Sequence, residues 1–517
     1  MRRPWIAPAH AGPRRSGRTM LMAAVAGACA VFAFAPFGYW PIQLLSIAFL
    51  FYQVGLDAAV KRSALIGWAF GFGWSVAGMH WLYIAMHRFG GLPSILSVLA
   101  VCLLGAYMGL FSAAATAGAA WLRKRWSLPV AAYLMLALPA CWGLSEWMRG
   151  WLFTGFPWVV SGYAHNASPL KGYAPLLGVY GVGLLAALCA GALAMLTQRA
   201  RLPALGAACA LLAAGYGLSD HAWTRALGAP ISVRLLQGNV AQDEKFDAAH
   251  FDDTLKLYRA MITAGQADLI ATPETAIPRF PHNLPPDYLP GLIDYAHNSG
   301  SHLLLGIPLI DSPLHYANSI AGVAPNGRPY RFDKQHLVPF GEFVPIGFHW
   351  FVDMMQIPLG EYTRGPLVQA PFAVKDQMVL PNICYEDVFG EEIAMQLRSQ
   401  PQPATILLNE SNLAWYGESI AIPQHLQMSQ MRAIETGRPM LRSTNNGATA
   451  IIDGQGKVLQ QLAPYTRGTL AANVQGMGGS TPYIQFGNTL FLLLAALLLA
   501  AAWLRGMIYR KNAAKTP

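Results

Sequence analysis

Three polar side chains in the second half of the chain have the types needed for thiol chemistry. Glu274 follows the apolar run Leu-Ile-Ala-Thr-Pro, Cys384 follows Val-Leu-Pro-Asn-Ile, and Lys334 follows Arg-Phe-Asp. Chains of the α/β class place reactive groups at strand ends. A thiol needs a base to become a nucleophilic thiolate, and the oxyanion formed on attack needs a positive partner. The three residue types together favour acyl transfer, with Cys384 as nucleophile, Glu274 as general base and Lys334 as oxyanion stabiliser.

The positions of the six cysteines single out Cys384. In an apolar run a cysteine usually serves as a small buried hydrophobe, and five of the six lie in such runs: Cys29, Cys102, Cys141, Cys189 and Cys209. Cys384 alone lies in the polar half, without a disulfide partner there. A single Glu, Lys or Cys at a strand end is more often structural than reactive, so the combination carries the hypothesis.

The region that must position these residues reads as an α/β domain. Strand-like runs begin at residues 231, 268, 302, 378 and 404. Amphipathic helical patterns cover 249–265, 287–299 and 421–437. Strands that alternate with helices are typical of α/β domains. We therefore predict one such domain over residues 220–483.

The remainder of the chain is typical of a membrane protein. Only 12% of the 517 residues are charged and 54% are hydrophobic, whereas soluble proteins carry about 25% charged residues. A membrane-spanning helix needs about 20 mostly apolar residues. Such runs predict eight spans, at 19–36, 40–57, 63–86, 92–122, 128–146, 172–197, 202–219 and 484–504. Residues 1–219 would form a domain of seven spans, and 484–517 a last span with a tail.

The loops between the predicted spans alternate in charge. Basic residues cluster at the N-terminus, at 61–62, 123–125 and 199–201, and after the last span, whereas the loops between these clusters are nearly neutral. Basic loops stay on the cytoplasmic side of a membrane. The pattern predicts both termini in the cytoplasm and residues 220–483 outside it.

Nucleic-acid, metal and nucleotide binding are not expected. The net charge of +10 is uneven, because residues 231–478 carry 16 basic and 23 acidic side chains. The basic excess therefore lies in the loops between spans and not in a stripe with interleaved aromatics. The His, Cys, Asp and Glu residues show no metal-site spacing, and no Gly-rich phosphate loop follows a strand.

The segments around the three residues resemble the Glu-Lys-Cys triad of the nitrilase superfamily. They are Pro273-Glu274-Thr-Ala, Lys334 ahead of Val338-Pro-Phe-Gly-Glu342, and Ile383-Cys384-Tyr385-Glu386. Over nearly its full length the chain resembles the membrane-embedded branch of that superfamily, the bacterial apolipoprotein N-acyltransferases. Further similar segments are Trp147-Met-Arg-Gly-Trp-Leu-Phe-Thr-Gly-Phe-Pro-Trp158, Gln424-His425, Arg432-Ala-Ile-Glu435 and Arg442-Ser-Thr-Asn-Asn-Gly447.

The resemblance implies a monomeric enzyme of the bacterial inner membrane, without a cofactor, whose αββα sandwich domain lies in the periplasm. Its reaction would be ping-pong acyl transfer from a phospholipid, with phosphatidylethanolamine as the expected donor. The acyl group would pass through a thioester on Cys384 to the diacylglyceryl-cysteine amine of apolipoproteins. Glu342 would orient Lys334 or the leaving group, and Tyr385 and Glu386 would shape the pocket.

Four aromatic residues are candidate substrate or lipid contacts. The family often has Trp where this chain has Phe246, and often Asp at Leu413, two residues before Trp415. The segment 343–359 is unusually apolar for a loop beside a catalytic lysine. We hypothesise that it is an arm that dips into lipid through Trp350 and Phe351, with ordinary core packing as the equal alternative.

Three other functions compete with acyl transfer. A membrane-tethered amidohydrolase could use the same triad with water as second nucleophile, although eight spans exceed what tethering requires. A transporter would need ionisable residues within its spans, and we expect the predicted spans to hold none. A binding module would leave the intact triad unexplained.

Overall fold

The computed structural model describes residues 13–56, 59–198, 200–245, 247–312, 315–347 and 361–513. The chain divides into two compact units. The helical unit comprises the residues up to Tyr83, Ser94–His221 and the residues from Asn488 onward. The catalytic unit comprises Ile84–Pro93 and Ala222–Gly487. A ten-residue segment from the first half of the chain therefore packs with the second half.

The helical unit is built from long apolar helices. In chain order they are α1 (Pro13–Cys29), α2 (Trp40–Gly55), α3 (Val60–Met79), α4 (Ser94–Trp126), α5 (Leu138–Arg149), α6 (Ala174–Ala194), α7 (Arg201–Ser219) and the C-terminal helix Thr489–Ala513. Helices α1 and α3 pack at close range. A Cβ added at Gly73 would lie 2.0 Å from the Ala24 carbonyl oxygen, and one at Gly27 would lie 2.0 Å from that of Phe70. Small residues permit such approach between helices in lipid.

Helical segments overlap all eight predicted spans. Among the described residues, five are long and apolar enough to cross a membrane, namely Ser94–Trp126, Val130–Arg149, Pro169–Thr197, Arg201–Ser219 and Thr489–Ala513. Gly17–Ala33 and Trp40–Gly55 are shorter apolar helices. The predicted helical, membrane-type N-terminal region is confirmed, and the crossing by all eight segments stays a prediction.

The expectation that the spans hold no ionisable residue is wrong in α5. Glu146 and Arg149 both lie in this helix and are buried. The Glu146 carboxylate accepts hydrogen bonds from the Ser161 amide at 2.9 Å and the Ser161 hydroxyl at 2.8 Å. Arg149 donates to the Trp158 carbonyl oxygen at 3.3 Å. These groups therefore tie the helix to the chain that follows it.

In its described residues, the catalytic unit has two six-stranded sheets and one two-stranded ribbon. The first sheet has the order β13-β2-β3-β4-β5-β6, the second β12-β11-β10-β9-β8-β7, and the ribbon pairs β1 with β14. The central strands β2-β3-β4 and β8-β9-β10 are parallel, and the outer pairs are antiparallel. The strands are β1 (Thr224–Ala226), β2 (Ile231–Gln237), β3 (Leu269–Ala271), β4 (His302–Ser312), β5 (His315–Val323), β6 (Pro329–Asp333), β7 (Phe372–Val374), β8 (Gln377–Ile383), β9 (Ile406–Ser411), β10 (Met440–Thr444), β11 (Ala450–Ile452), β12 (Val458–Gln461), β13 (Gly468–Val474) and β14 (Met477–Gly479).

The two large sheets share one apolar core. Leu235 and Leu304 of the first sheet belong to the same buried cluster as Val379 and Leu408 of the second. Side chains alternate between the two faces of a strand, so the opposite faces are free for helices. A sandwich with helices outside both sheets follows.

Four helices of at least ten residues flank the sheets in the described part of the unit: α8 (Phe251–Thr263), α9 (Tyr288–Ser299), α10 (Gly390–Ser399) and α11 (Ala421–Thr436). Leu255 of α8 and Leu292 of α9 pack with Ile270 of the first sheet in a second cluster. Leu397 of α10 and Ala433 of α11 join the main core. The predicted αββα arrangement is confirmed, as are the five predicted strands and three helices.

The segment Ile84–Pro93 contacts the loop that follows β9. It contains a single π-helical turn, Ala85–Phe89. The ring of Phe89 meets the ring of Trp415 edge to face at a centroid distance of 5.8 Å. A Cβ added at Gly417, whose φ is +52°, would lie 3.3 Å from Ile84. The segment thus covers one side of the loop 412–417.

Candidate active site

Cys384 lies on a sharp turn directly after β8. Its φ of +51° is in the left-handed region, which is strained for a residue with a side chain and is common at active sites. A short 3₁₀-helix, Cys384–Val388, begins at this residue. Asn409 donates a hydrogen bond to the Cys384 carbonyl oxygen at 3.1 Å. The turn therefore presents a partly exposed thiol at the end of a parallel strand.

Glu274 lies in the turn after β3 and is held by donors on both carboxylate oxygens. Oε1 accepts from the Asn318 amide at 2.8 Å and from the Lys334 ammonium at 3.2 Å. Oε2 accepts from the main-chain N–H of Asn412 at 2.9 Å. The next residue, Thr275, has a φ of +50°. Three hydrogen bonds therefore fix the Glu274 carboxylate in position, and an ionised carboxylate held in this way is suited to accept a proton.

Lys334 follows β6 and is 1% exposed. Its ammonium group lies 2.8 Å from Oε1 of Glu342 and 3.2 Å from Oε1 of Glu274. Asn318 also donates to Glu342 at 2.8 Å, so it bridges the two carboxylates. The second oxygen of Glu342 accepts from the Val338 N–H at 2.8 Å. One lysine therefore shares its charge between two carboxylates.

The charges of the site set the protonation states of its resting form. Burial alone would lower the pKa of Lys334, but Glu274 and Glu342 raise that pKa well above its ordinary value. Burial alone would raise the pKa of Glu274, but Lys334 and Lys245 hold it below the ordinary value. Burial raises the pKa of the Cys384 thiol, with Glu274 adding to the effect and Lys334 opposing it. The resting site has a neutral thiol beside an ionised carboxylate.

This distribution determines how the thiol can react. Cys384 lies close enough to Glu274, Lys334 and Glu342 for each of their charges to act on its pKa. Because the thiol is neutral at rest, an attack by its sulfur requires a proton acceptor, and the ionised Glu274 carboxylate is a candidate for that role. The structure thus brings the three predicted catalytic residues and Glu342 together.

Glu386 connects the Cys384 turn to the loop after Lys334. Its Oε2 accepts from the Ile383 N–H at 2.7 Å. Its Oε1 accepts from the N–H groups of Gln335 at 2.6 Å and His336 at 3.2 Å. Burial raises the pKa of Glu386 to about 7, and the bonds from Ile383 and Gln335 oppose the rise. This side chain positions two parts of the site relative to each other.

Tyr385 packs beside the same loop. It is buried, with its ring 5.7 Å from the ring of His336 and 5.1 Å from that of Phe389. His336 stacks on Phe389 at 3.5 Å and contacts Glu392 at 2.8 Å. Tyr385 therefore contributes to the wall behind the Cys384 turn.

A buried charged network supports that turn from α11 and β10. Arg442 donates to Asp387 at 2.9 Å and lies 2.9 Å from Nδ1 of His425. Burial and the positive charge of Arg442 lower the pKa of His425 well below its ordinary value. His425 is therefore neutral and structural. The segments Gln424-His425 and Arg442–Gly447, singled out in the sequence, lie in this support.

Three residues of the site were missed by the reasoning from sequence. Lys245 is 2% exposed, and its ammonium group donates to the Glu274 carbonyl oxygen at 2.9 Å. Asn318 lies within β5, and Asn412 follows β9. Asn412 directly follows the parallel strand β9, so its position gave a local signal, since strand ends of one parallel sheet meet at one edge. Lys245 lies eight residues beyond the end of β2, and its sequence position alone gave no such signal.

The substrate and lipid contacts proposed for Phe246, Trp350, Phe351 and Trp415 all stay predictions. Trp415 is 39% exposed, in the loop that carries Asn412. Phe246, Trp350 and Phe351 lie outside the described residues. Their contacts, and the lipid-dipping arm, stay predictions.

A metal centre has no support in the part of the chain that the structure describes. No three His, Cys, Asp or Glu side chains there are grouped as metal ligands. The acidic groups of the site are instead neutralised by lysine. The arrangement can carry out proton transfer, thiol addition to a carbonyl carbon, and stabilisation of an oxyanion by Lys334.

Comparison with protein families agrees with this division of the chain. Residues 26–192 match the family described as the apolipoprotein N-acyltransferase N-terminal domain. Residues 232–483 match the carbon-nitrogen hydrolase family. By fold and site, the chain is a carbon-nitrogen hydrolase domain combined with an apolar helical domain.

Individual relatives cover almost the whole chain. An apolipoprotein N-acyltransferase of Ralstonia nicotianae is 48% identical over 490 residues, covering 94% of this chain and 93% of the relative. One of Nitrosomonas europaea is 43% identical over 512 residues, covering 96% and 99%. A solved carbon-nitrogen hydrolase superfamily protein of Xanthomonas campestris is 17% identical, with a TM-score of 0.38 over 48% of this chain and 91% of its own. The chain belongs to the apolipoprotein N-acyltransferase family.

Proposed function

We propose that this protein transfers an acyl group from a phospholipid to the N-terminal amine of an apolipoprotein, through a thioester on Cys384. The observation that carries the proposal is the cluster of Glu274, Lys334 and Glu342 around a neutral thiol on a strained turn. The family relationship supplies the substrate class. The geometry of the site supports the roles that we assign to its residues.

In the first step the thiol attacks an ester carbonyl of the phospholipid donor, for which we propose phosphatidylethanolamine. Glu274 takes the thiol proton as the carbon–sulfur bond forms. Lys334 stabilises the oxyanion of the tetrahedral intermediate. The intermediate collapses with loss of the glycerol oxygen, which receives the proton from Glu274. A lysophospholipid leaves and the acyl group stays on sulfur.

In the second step the α-amine of the diacylglyceryl-cysteine attacks the thioester. Glu274, ionised again, takes a proton from the amine, and Lys334 stabilises the second oxyanion. The carbon–sulfur bond breaks, and the thiolate regains its proton. A thioester is activated toward amines, so one sulfur can connect an ester donor to an amide product.

The membrane is part of the proposed reaction. We place all eight apolar segments across the bacterial inner membrane, with both termini cytoplasmic and the catalytic unit in the periplasm. The alternation of basic loops supports this orientation. Both substrates carry acyl chains, so a site at the bilayer surface brings them together. The proposed arm with Trp350 and Phe351 would serve this contact, and Trp415 offers a further exposed aromatic surface.

The test is mass spectrometry of purified enzyme incubated with phosphatidylethanolamine vesicles. We expect an acyl adduct on the Cys384 peptide, its loss in Cys384→Ala, and its much slower formation in Cys384→Ser. Cys209→Ala is the matched control, because that exposed cysteine lies in α7. An adduct that persists in Cys384→Ala would refute the proposal.

A second arm separates acyl transfer from hydrolysis. The acylated enzyme is mixed with a diacylated lipopeptide whose α-amine is free. We expect a triacylated peptide as product. Release of free fatty acid alone would identify the amidohydrolase instead.

A further inference from the structure

A second lysine lies in the active site, and the proposed steps do not use it. Lys245 ends a short helix, Gln242–Lys245, that follows β2. The residue is 2% exposed, so its charged end has left bulk water. Burying an ammonium group is costly unless nearby groups compensate. Its presence beside Glu274 therefore calls for a role in the site.

The contacts of Lys245 converge on Glu274. Its ammonium group donates to the main-chain oxygen of Glu274 at 2.9 Å. From the same helix, Gln242 accepts a hydrogen bond from the Asn412 side chain at 2.8 Å. Asn412 in turn donates its main-chain N–H to the Glu274 carboxylate at 2.9 Å. The short helix thus braces Glu274 from its backbone and from its carboxylate.

We infer that Lys245 is a positioning residue whose charge keeps the Glu274 carboxylate ionised and aimed at the thiol of Cys384. Lys334 alone is shared between two carboxylates, with the shorter contact to Glu342 at 2.8 Å. Lys245 therefore supplies the second positive charge that two carboxylates in one buried site require. This inference rests on the proposed role of Glu274 as base.

The surrounding charges are consistent with this role. Burial lowers the pKa of Lys245 to about 8, and the attraction of Glu274 and Cys384 opposes that change. Lys245 is thus charged at every pH below neutrality. The other titratable groups whose charges interact with that of Glu274 are Lys334, Cys384, Tyr362, Tyr416 and Glu410. Glu342 shares Lys334 and Asn318 with Glu274.

The experiment measures how fast iodoacetamide alkylates Cys384 between pH 4 and 8. In that reaction the sulfur displaces iodide from carbon, and the thiol proton passes to the base. The rate therefore falls at low pH as Glu274 becomes protonated. No phospholipid is involved, so failure of acyl transfer and failure of this inference are distinguishable.

In Lys245→Met we expect the half-maximal pH of alkylation to rise by about one unit, because an opposite charge at close range shifts a carboxyl pKa by about 1 to 3 units. At acidic pH, where the rate falls as the pH is lowered, the variant should therefore react about tenfold more slowly than wild type at the same pH. Lys245→Arg keeps the charge and should return the half-maximal pH toward its wild-type value.

Two controls separate charge from structure. Gln242→Leu removes the contact of the same helix with Asn412 without removing a charge, so it should change the rate at all pH values without moving the half-maximal pH. Lys256→Met removes a lysine whose side chain is 79% exposed and should leave the profile unchanged.

If Lys245→Met is folded and its half-maximal pH of alkylation equals that of wild type, the inference is overturned. If a thermal melt shows that this variant does not fold, Lys245→Arg decides. If the half-maximal pH of alkylation in Lys245→Arg equals that of wild type, the retained charge supports the role of Lys245. If the half-maximal pH in Lys245→Arg is higher than in wild type, the inference is overturned.

Discussion

Glu410 provides the sharpest stability prediction, because it is a buried acid that lacks hydrogen bonds. It lies on β9 and is 0% exposed. Neither carboxyl oxygen has a hydrogen-bond partner among the described residues. Burial raises the pKa of Glu410 well above its ordinary value of 4.5, and the negative charge of Glu274 adds to the rise. The folded protein therefore holds this group as a neutral acid.

The sign of the pH dependence follows from proton linkage. A carboxyl with a higher pKa in the folded state binds its proton more tightly there than in the unfolded chain. Above pH 4.5 the unfolded chain loses this proton and the folded protein keeps it. Each pH unit in the window between the two pKa values then lowers the free energy of unfolding by about 1.4 kcal/mol.

The perturbation is Glu410→Met, which keeps a similar side-chain length and removes the titrating group. We expect this variant to be more stable than wild type at pH 7. Its advantage should grow from pH 5 to pH 7, by about 1.4 kcal/mol for each pH unit over which the folded wild type keeps the Glu410 proton and the unfolded chain has lost it. Replacement of buried ionisable groups by apolar ones is often stabilising.

The assay is chemical denaturation in detergent micelles at pH 5, 6 and 7, followed by tryptophan fluorescence. Taking the difference between variant and wild type cancels the titration of all other groups. Gln396→Met is the control, since Gln396 is buried and partly unsatisfied but does not titrate. A difference for Glu410→Met that is the same at all three pH values would refute the reasoning.

Two further predictions concern the positioning of the site. Asn318 donates hydrogen bonds to both Glu274 and Glu342. A hydrogen bond to a charged group contributes about 1.5 to 3 kcal/mol. Asn318→Leu should therefore slow thioester formation, measured by rapid quench, by about 10- to 100-fold. Asn318→Asp adds a third carboxylate and should be slower still, so equal rates in both variants would contradict this account. Glu386→Ala removes the hydrogen-bond acceptor of three main-chain N–H groups, and each unsatisfied group costs about 1 to 3 kcal/mol of stability. The substitution should therefore lower the melting temperature by several degrees. Glu386→Gln keeps one acceptor oxygen and should fall between wild type and alanine; the reverse order would contradict the bracing role.

The central parallel strands, and the grouping of the candidate catalytic residues at one sheet edge, could be predicted because their signals are local. Buried parallel strands are continuous apolar runs, and the groups after them must gather at one sheet edge. Glu274 and Cys384 each follow such a run. Lys334 and Glu342 were placed through their segment and its family resemblance, and the structure brings them within hydrogen-bonding distance.

The supporting residues could not be predicted because their roles depend on register between distant strands. Asn318 lies in an antiparallel pair with β4, where only the pairing brings it to Glu274. Glu410 lies opposite Ile383 and shares the interior of the sandwich. A polar residue inside an apolar strand gives no local sign of which charged group it will face.

The irregular segments were also beyond sequence reasoning. The strands β5, β6, β12 and β13 have mixed burial along their length, so their periodicity is weak. Glu146 and Arg149 lie in the last turn of α5, and nothing local in the sequence indicated that both side chains would be buried against the chain that follows the helix.

The assignment of Ile84–Pro93 to the catalytic unit has a consequence for engineering chimeras with relatives. A fragment cut at residue 222 would lack the turn that covers Trp415 and Gly417. The loop left uncovered in this fragment carries Asn412, whose main-chain N–H donates a hydrogen bond to the Glu274 carboxylate. Exchanging catalytic units between two members of the family therefore requires four splice points, two around Ile84–Pro93 and two around Ala222–Gly487, so that this decapeptide travels with its own hydrolase fold.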